Sequence, residues 1–210
     1  AVSGLTSNVT DVAGGGYLRR VAVQRGAAYA WGGDRGGQLG EGTTADRHTP
    51  VAVNGLSSNV TDVAGGGSHS LAVQSGGVYA WGRNDSGQLG DGSTTHRHTP
   101  TAVSGLTSNV TDVAAGTFHS LAIQNGAVYA WGNNGYGQLG DGTTTNRFTP
   151  VAVSGLSSDV TDVAGGLFHS LAIQNGAVYA WGGNYDGQLG DGTTTDRSMP
   201  FQVAPSDLTD

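Results

Sequence analysis

A 50-residue period constrains this chain more than any other feature. Trp31, Trp81, Trp131 and Trp181 stand 50 residues apart, each followed by glycine. Four copies, approximately 1–50, 51–100, 101–150 and 151–200, fill nearly all of the 210 residues. Copies 101–150 and 151–200 agree at 39 of 50 positions without an insertion, so what one copy builds its neighbour builds as well. The chain reads as a single repeat domain over 1–210, ending in a polar tail at 204–210.

Within a copy the periodicity is that of strands, and no helical pattern is present. In 151–200 the pattern predicts strands at Val160–Ala164, His169–Gln174, Val178–Trp181 and Met199–Val203. Asn175-Gly176 is a hairpin turn signal. A long polar loop, Gly182–Arg197, carries Gly187-Gln188-Leu189-Gly190-Asp191-Gly192, in which Leu189 plugs the loop onto the sheet. The 38 glycines follow no period of three and serve turns, which excludes collagen. A four-stranded antiparallel unit of this size cannot cover its own apolar faces, so the expected fold is all-β: a propeller of four-stranded antiparallel blades, four per chain. Three geometries satisfy that count: a closed four-blade ring, an open arc, and two arcs pairing into eight blades. The patch that an open arc exposes favours the homodimer.

Sixteen acidic residues stand against nine arginines and no lysine, for a formal charge of -7. This argues against a partner held by phosphate neutralisation, so nucleic acid is not expected. No apolar run reaches the roughly 20 residues of a membrane span, and no membrane partner is expected. Cysteine is absent, which removes disulfides and thiolate chemistry but leaves the compartment open. The start of the chain shows no signal peptide or basic targeting segment. Asn8, Asn59 and Asn109 fit the glycan acceptor pattern and read as turn chemistry.

Positions held constant across copies read as framework. The four tryptophans are expected to be buried packing residues. His69, His119 and His169, each followed by serine, read as structural hydrogen-bonding groups, because neighbours on a strand face opposite ways and cannot form a nucleophile–base dyad. Asp62, Asp112 and Asp162 are expected to bond nearby turn amides. Arg47, Arg97, Arg147 and Arg197, placed before the proline of the fourth strand, read as forks that hold the long loop through carbonyls or an adjacent Asp. The Asp141-Gly142 and Asp191-Gly192 pairs lack calcium-loop spacing. Neither cofactor nor metal is expected, and no copy gathers a nucleophile, a base and an orienting group, so an enzyme is not expected.

Binding is sought where copies differ, since loops on a rigid β scaffold vary freely. The candidates are Tyr17, Arg19, Arg20, Arg35, Asp85, Phe118, Tyr136, Phe148, Phe168 and Tyr185. The columns around Asp34 and Asn84 vary in the same way. In the first repeat Leu18-Arg19-Arg20-Val21 replaces Phe-His-Ser-Leu. Two arginines are costly in a dry layer, so these are expected at a seam or solvent-facing end, within reach of Asp207 or Asp210.

Val-Thr-Asp-Val-Ala-Ala-Gly, Phe-His-Ser-Leu-Ala-Ile, Val-Tyr-Ala-Trp-Gly and Gly-Gln-Leu-Gly-Asp-Gly within 110–142 resemble the repeat of the regulator of chromosome condensation family. The resemblance covers essentially the whole chain. It implies a propeller, usually of seven blades, acting through a protein-binding face. Its members include a guanine-nucleotide exchange factor that docks on a small GTPase and chromatin, and secreted bacterial propellers that cap beta-lactamases. The acidic, cysteine-free chain without a basic tail fits the inhibitor-type module best, secreted from bacteria or made as a recombinant scaffold. The alternatives are a self-assembling structural or engineered scaffold without ligand, and an exchange-factor-like propeller. The expected partners are a second copy of the chain and another protein.

Overall fold

The computed structural model describes Val2, residues 4–16 and residues 19–203. Sixteen strands form four antiparallel four-stranded sheets, each meandering in sequence order. The first sheet holds β1 (Val9–Gly15), β2 (Arg19–Gln24), β3 (Ala27–Gly32) and β4 (Arg47–Ala52), and the second β5 (Val60–Gly65), β6 (His69–Gln74), β7 (Gly77–Gly82) and β8 (Arg97–Ala102). The third holds β9 (Val110–Ala115), β10 (His119–Gln124), β11 (Ala127–Gly132) and β12 (Arg147–Ala152), and the fourth β13 (Val160–Gly165), β14 (His169–Gln174), β15 (Ala177–Gly182) and β16 (Arg197–Gln202). The last strand of each blade therefore opens at the arginine rather than beyond it. Arg197 pairs with Gly182, and a bulge follows before Phe201 meets Ala180.

Local chemistry explains the turns. Each β-hairpin between the second and third strands of a blade needs two residues in the left-handed region, as a type I′ turn does. Asn175 and Gly176 supply φ of 52° and 77°. The glycan-like positions Asn8, Asn59 and Asn109, with Asp159, hold φ between 55° and 58°, a region that Asn and Asp tolerate best among residues with a side chain. The first repeat carries one extra residue. Val12 pairs with Ala22, whereas Val63 pairs with Ala72, so the turn before β2 is longer by one.

The core lies between blades. The outward face of one blade contributes Leu71, Val73, Val78, Ala80, Leu89 and Val103, and the next contributes Leu106, Val110, Val113, Ala122 and Trp131. Equivalent residues fill the junctions on either side. Fully burying each Leu, Val or Ile contributes roughly 1.5–3 kcal/mol, so the junction, not the isolated sheet, is the stabilising unit.

Contact runs from the first blade to the second, third and fourth in order, and no substantial strand contact joins the fourth to the first among the described residues. Val12 is 67% exposed, whereas its counterparts Val63 and Val113 are 4% and 5% exposed. At the other end Val178 is 43% exposed, against 0% for Val128. Trp81, Trp131 and Trp181 are buried, but Trp31 is only half-buried. The expectation of four buried tryptophans is corrected at Trp31, whose face no other blade covers among the described residues.

Candidate functional site

Each blade runs up its first strand, down its second and up its third. The loops after the first and third strands therefore share one end of the molecule, and that end gathers the positions that vary between copies. Tyr136 and Tyr185 come from the long loops after β11 and β15, and Phe118 and Phe168 from the turns before β10 and β14.

These four aromatics, widely spaced in sequence, form one continuous row across the third and fourth blades. The Phe118 and Phe168 rings stack at 6.4 Å, Tyr136 tilts onto Phe168 at 4.7 Å, and Tyr185 meets Tyr136 edge-on at 5.5 Å. A hydrogen bond between the two phenols and partial burial raise the Tyr185 hydroxyl above its ordinary pKa. Tyr185 is 62% exposed, and neighbouring Leu167 is 56% exposed.

The same end of the first two blades is hollow, because Gly36 stands in the column of Tyr136 and Ser68 in that of Phe168. A cleft of roughly 720 Å³ opens there, lined among others by Arg35, Asp46, His48, Ser68, Arg83 and His96. Asp85 sits beside it, paired with Arg83, and the guanidinium holds its carboxyl below the usual range. Thus Arg35, Asp85, Phe118, Tyr136, Phe168 and Tyr185 share one rim, basic and recessed at one side, aromatic and raised at the other.

The other candidates lie elsewhere. Tyr17 falls outside the described residues, as do Asp207 and Asp210. Arg19 is buried, which corrects its placement at a seam or solvent-facing end. It occupies the column of His69 and donates from Nη2 to the carbonyls of Gly66 (3.0 Å) and His69. Burial lowers its pKa to about 9 while the charge of Asp34 opposes the shift, so the guanidinium stays protonated at neutral pH. Arg20 is exposed on the uncovered face of the first blade. Phe148, 44% exposed, packs on Gly87 of the preceding blade, and its carbonyl accepts from the Gly92 amide at 2.9 Å. It belongs to a junction rather than to the rim.

The framework positions form ties that sequence adjacency conceals. His69 Nε2 lies 2.9 Å from Ser120 Oγ, and His119 Nε2 lies 2.9 Å from Ser170 Oγ, each pair spanning two blades. Each serine hydroxyl donates to a loop carbonyl, Ser120 to Gln88 and Ser170 to Gln138, both at 2.8 Å. The serine therefore accepts from the histidine, which fixes the Nε2–H tautomer and leaves no free hydroxyl proton for nucleophilic chemistry. Burial lowers both imidazoles to about 3, so they are neutral. His169, at the uncovered fourth face, is only half-buried.

Asp11 and Asp62 act between blades, which corrects the expected local role at Asp62. Asp11 Oδ2 accepts from the Val63 amide at 2.8 Å and Asp62 Oδ2 from the Val113 amide at 2.7 Å. Burial raises Asp62 to about 8, and Asp112 is raised for the same reason. The arginines pair with the acid of their own long loop. Arg97 holds Asp91 (2.8 Å), Arg147 holds Asp141 (2.7 Å), Arg197 holds Asp191 (2.5 Å) and Arg47 holds Glu41 (2.7 Å). Among the described residues no group of three His, Asp or Glu is placed to hold a metal ion.

Sequence reasoning missed the buried amides that shape the rim loops. Asn134 receives the Leu139 amide on Oδ1 at 2.9 Å, and its Nδ2 donates to Asp141 Oδ1 and the Thr143 and Thr145 carbonyls. Asn84 and Asn184 do the same in their blades. Asp34 and Asn84 are thus loop organisers, not contact residues. The constant fourth residue of Trp-Gly-x-Asn was the available signal, masked by Asp34 in the first copy.

The repeat model of the regulator of chromosome condensation family matches residues 25–73, 75–123, 125–173 and 175–208, and a second model of the same repeat matches 60–88 and 110–138. Among solved structures, human WBSCR16 is similar with a TM-score of 0.84 and 28% identity, over 93% of this chain and 53% of that one. Yeast RCC1 (Prp20) bound to Kap60 has a TM-score of 0.82 at 24% identity, over 97% of this chain and 50% of that one. Prp20p from Saccharomyces cerevisiae, described with its binding properties to Gsp1p and histones, has 0.81 at 24%, over 97% and 52%. The chain spans about half the length of these proteins. No curated protein sequence matches it at a significant level. The expectation of a secreted bacterial or recombinant scaffold is overturned here, since the three structures just described are a human protein and a yeast protein characterised with Kap60, Gsp1p and histones. With its repeats matched from residue 25 to 208 and its blades superposing on those of solved members, the chain belongs to the regulator of chromosome condensation (RCC1) repeat family.

Proposed function

We propose that this chain is a non-enzymatic module that docks a folded protein partner on the rim formed by Phe118, Tyr136, Phe168 and Tyr185 and the adjoining Arg35–Arg83 cleft. The aromatic row carries the reading. Framework positions are nearly constant from copy to copy, whereas this row is assembled from columns that vary, and it leaves rings partly exposed on a rigid support. Tyr and Phe on such a support give contact area at low entropic cost, and Arg beside them suits a wet protein interface. The buried His–Ser pairs have no substrate access and no transferable proton, so no bond-making step is assigned to them.

None of the three structures described above is of the inhibitor type. The exchange-factor-like alternative is better supported, because a yeast protein of the same fold is described by its binding to Gsp1p. A protein partner of that kind, met by the rim without chemistry on this chain, is therefore the preferred reading. The test is binding of purified Gsp1p, nucleotide-free and GDP-loaded, to the immobilised chain by biolayer interferometry. Saturable binding is expected, weakened at least about tenfold by Tyr136→Ala with Tyr185→Ala, as truncation of central aromatic contacts commonly does. Absence of binding by the unmodified chain overturns the partner class. Binding indifferent to both substitutions overturns the rim.

A further inference from the structure

In three of the four long loops a single amide nitrogen sits in a ring of oxygens. Asn84 Nδ2 lies 3.0–3.4 Å from Asp91 Oδ1, the carbonyl and hydroxyl of Ser93 and the Thr95 carbonyl. Asn134 Nδ2 lies 3.1–3.3 Å from the equivalent atoms of Asp141, Thr143 and Thr145. Asn184 Nδ2 lies 3.0–3.4 Å from those of Asp191, Thr193 and Thr195. Four acceptors share two N–H donors, so each loop gathers its oxygens on a partial positive charge.

The first loop puts an oxygen at the centre instead. Asp34 holds the pose of the asparagines: its amide donates to Asp46 Oδ1 and its Oδ1 accepts from the Leu39 amide, both at 2.9 Å. Asn134 is held in the same way by Asn146 and Leu139. Asp34 Oδ2 therefore takes the place of Nδ2, and it has no hydrogen-bond partner among the described residues. Glu41, Thr43 and Ala45 stand in the columns of Asp141, Thr143 and Thr145. The Thr43 hydroxyl donates to Glu41 Oε1, which leaves the hydroxyl oxygen its lone pairs, and the charge of Glu41 acts on Asp34. Asp34, Asn84, Asn134 and Asn184 are each 0% exposed, in the outer blades as in the inner ones. The arrangement belongs to one loop and owes nothing to how many blades flank it. A buried carboxylate oxygen among a second carboxylate, a hydroxyl and two carbonyls needs positive charge beside it. A proton satisfies one of those acceptors, whereas a metal ion meets them all.

We propose that the first long loop binds a calcium ion through Asp34 Oδ2, a Glu41 carboxylate oxygen, the Thr43 hydroxyl and the Thr43 and Ala45 carbonyls, with water completing the shell. The donor set selects the ion. All ligands are hard oxygens of mixed charge in an irregular cage, which suits the six to eight ligands at about 2.3–2.6 Å that calcium takes, whereas magnesium demands a regular octahedron and keeps its waters. Only two of the five ligand atoms are carboxylate oxygens, so neither a cluster of three acidic or histidine side chains nor a calcium-loop spacing announces the site. Arg47 pairs with Glu41, and the charge of Arg19 reaches Asp34. Two carboxylates offset in this way make a weak site, with a dissociation constant of about 10⁻⁴–10⁻³ M. The bound ion braces the loop that carries Arg35 and Gly36 on the wall of the rim cleft. It is independent of the identity of any docked partner.

The experiment is calorimetric titration of calcium chloride, and separately of magnesium chloride, into the chelator-treated 210-residue chain and two variants, Asp34→Asn and Glu41→Gln. One saturable site is expected in the parent, at least about tenfold tighter for calcium than for magnesium. Asp34→Asn gives the first loop the residue that its three siblings carry, so it folds, and far-ultraviolet circular dichroism matching the parent establishes this. It should abolish binding, and Glu41→Gln should weaken binding at least about tenfold. The melting temperature of the parent should rise by about 3–6 °C at a calcium concentration ten times the dissociation constant, and that of Asp34→Asn should not respond. No saturable binding by the parent, magnesium as tight as calcium, or an affinity unchanged in Glu41→Gln each overturn the site. Binding that survives Asp34→Asn overturns it as well, and identifies adsorption to the sixteen acidic residues at large, of which that variant removes one.

Discussion

At the residue scale, the consequential choices are between groups of nearly equal shape and opposite hydrogen-bonding role. Asn134 is buried with its amide nitrogen aimed at three oxygens, and a carboxylate in its place would face those oxygens with no proton to give. The first copy holds that exchange already. Asp34 accepts from the Leu39 amide, but its Oδ2 has no partner, and burial raises its pKa to about 6. Asn134→Asp should therefore destabilise the chain by at least about 2 kcal/mol at pH 7, the cost of unmaking buried bonds and placing a charge beside Asp141. The folded pKa of such a group lies above its unfolded value near 4, so the penalty is small below pH 4 and grows as pH rises through about 6. Urea denaturation of parent and variant at pH 4 and pH 7 checks this. A deficit equal at both values would mean that lost shape, not ionisation, sets the cost. The neutral imidazoles of His69 and His119 act in the opposite direction. Lowered to about 3, they contribute stability above pH 6.5 that is lost as pH falls toward 3.

At the scale of the element, the unit that matters is the long loop and the strand edge it grips in the next blade. Gly90 and Gly105 both sit at positive φ, 67° and 77°, so alanine strains the backbone at either site. Only at Gly90 does a Cβ also strike Trp131, at 2.8 Å, while at Gly105 nothing lies within 4 Å. Gly90→Ala is expected to cost about 1–3 kcal/mol more than Gly105→Ala, the difference isolating overpacking against Trp131 from shared backbone strain. Thermal denaturation of the two variants side by side gives that difference, and equal losses would show that the Trp131 edge yields freely. The strands and hairpin turns could be read from the sequence because alternation is local and recurs in every copy, and Asn-Gly marks the turn at Asn125-Gly126 and Asn175-Gly176. The grip of the long loop on the next blade could not, since Ser120 Oγ and Trp131 Nε1 donate there to the Gln88 main-chain carbonyl, which carries no side-chain signature. His119 and Ser170 stand 51 residues apart, so their bond depends on how far one blade turns from the next. Arg19 was misplaced for a related reason: a lone arginine reads as a solvent group until the carbonyls of Gly66 and His69 are seen around it. The variable columns did identify Phe118, Tyr136, Phe168 and Tyr185, but only blade spacing makes them one row.

At the scale of the whole molecule, stability is a chain of neighbour contacts, and its distribution follows how many neighbours each blade has. The two inner blades are covered on both faces, so Leu71 and Leu121 are fully buried, whereas Leu171 is half-buried in the fourth blade. Val12 marks the same deficit on the first. Opening a terminal blade breaks one junction and opening an inner blade breaks two, so amide exchange should be fastest in β1, β14 and β15 and slowest in β6 and β10. Hydrogen exchange read by mass spectrometry resolves these segments. Protection that is uniform at high dilution would show instead that a blade is stable without its neighbours, and the junction would lose its place as the unit that holds the fold.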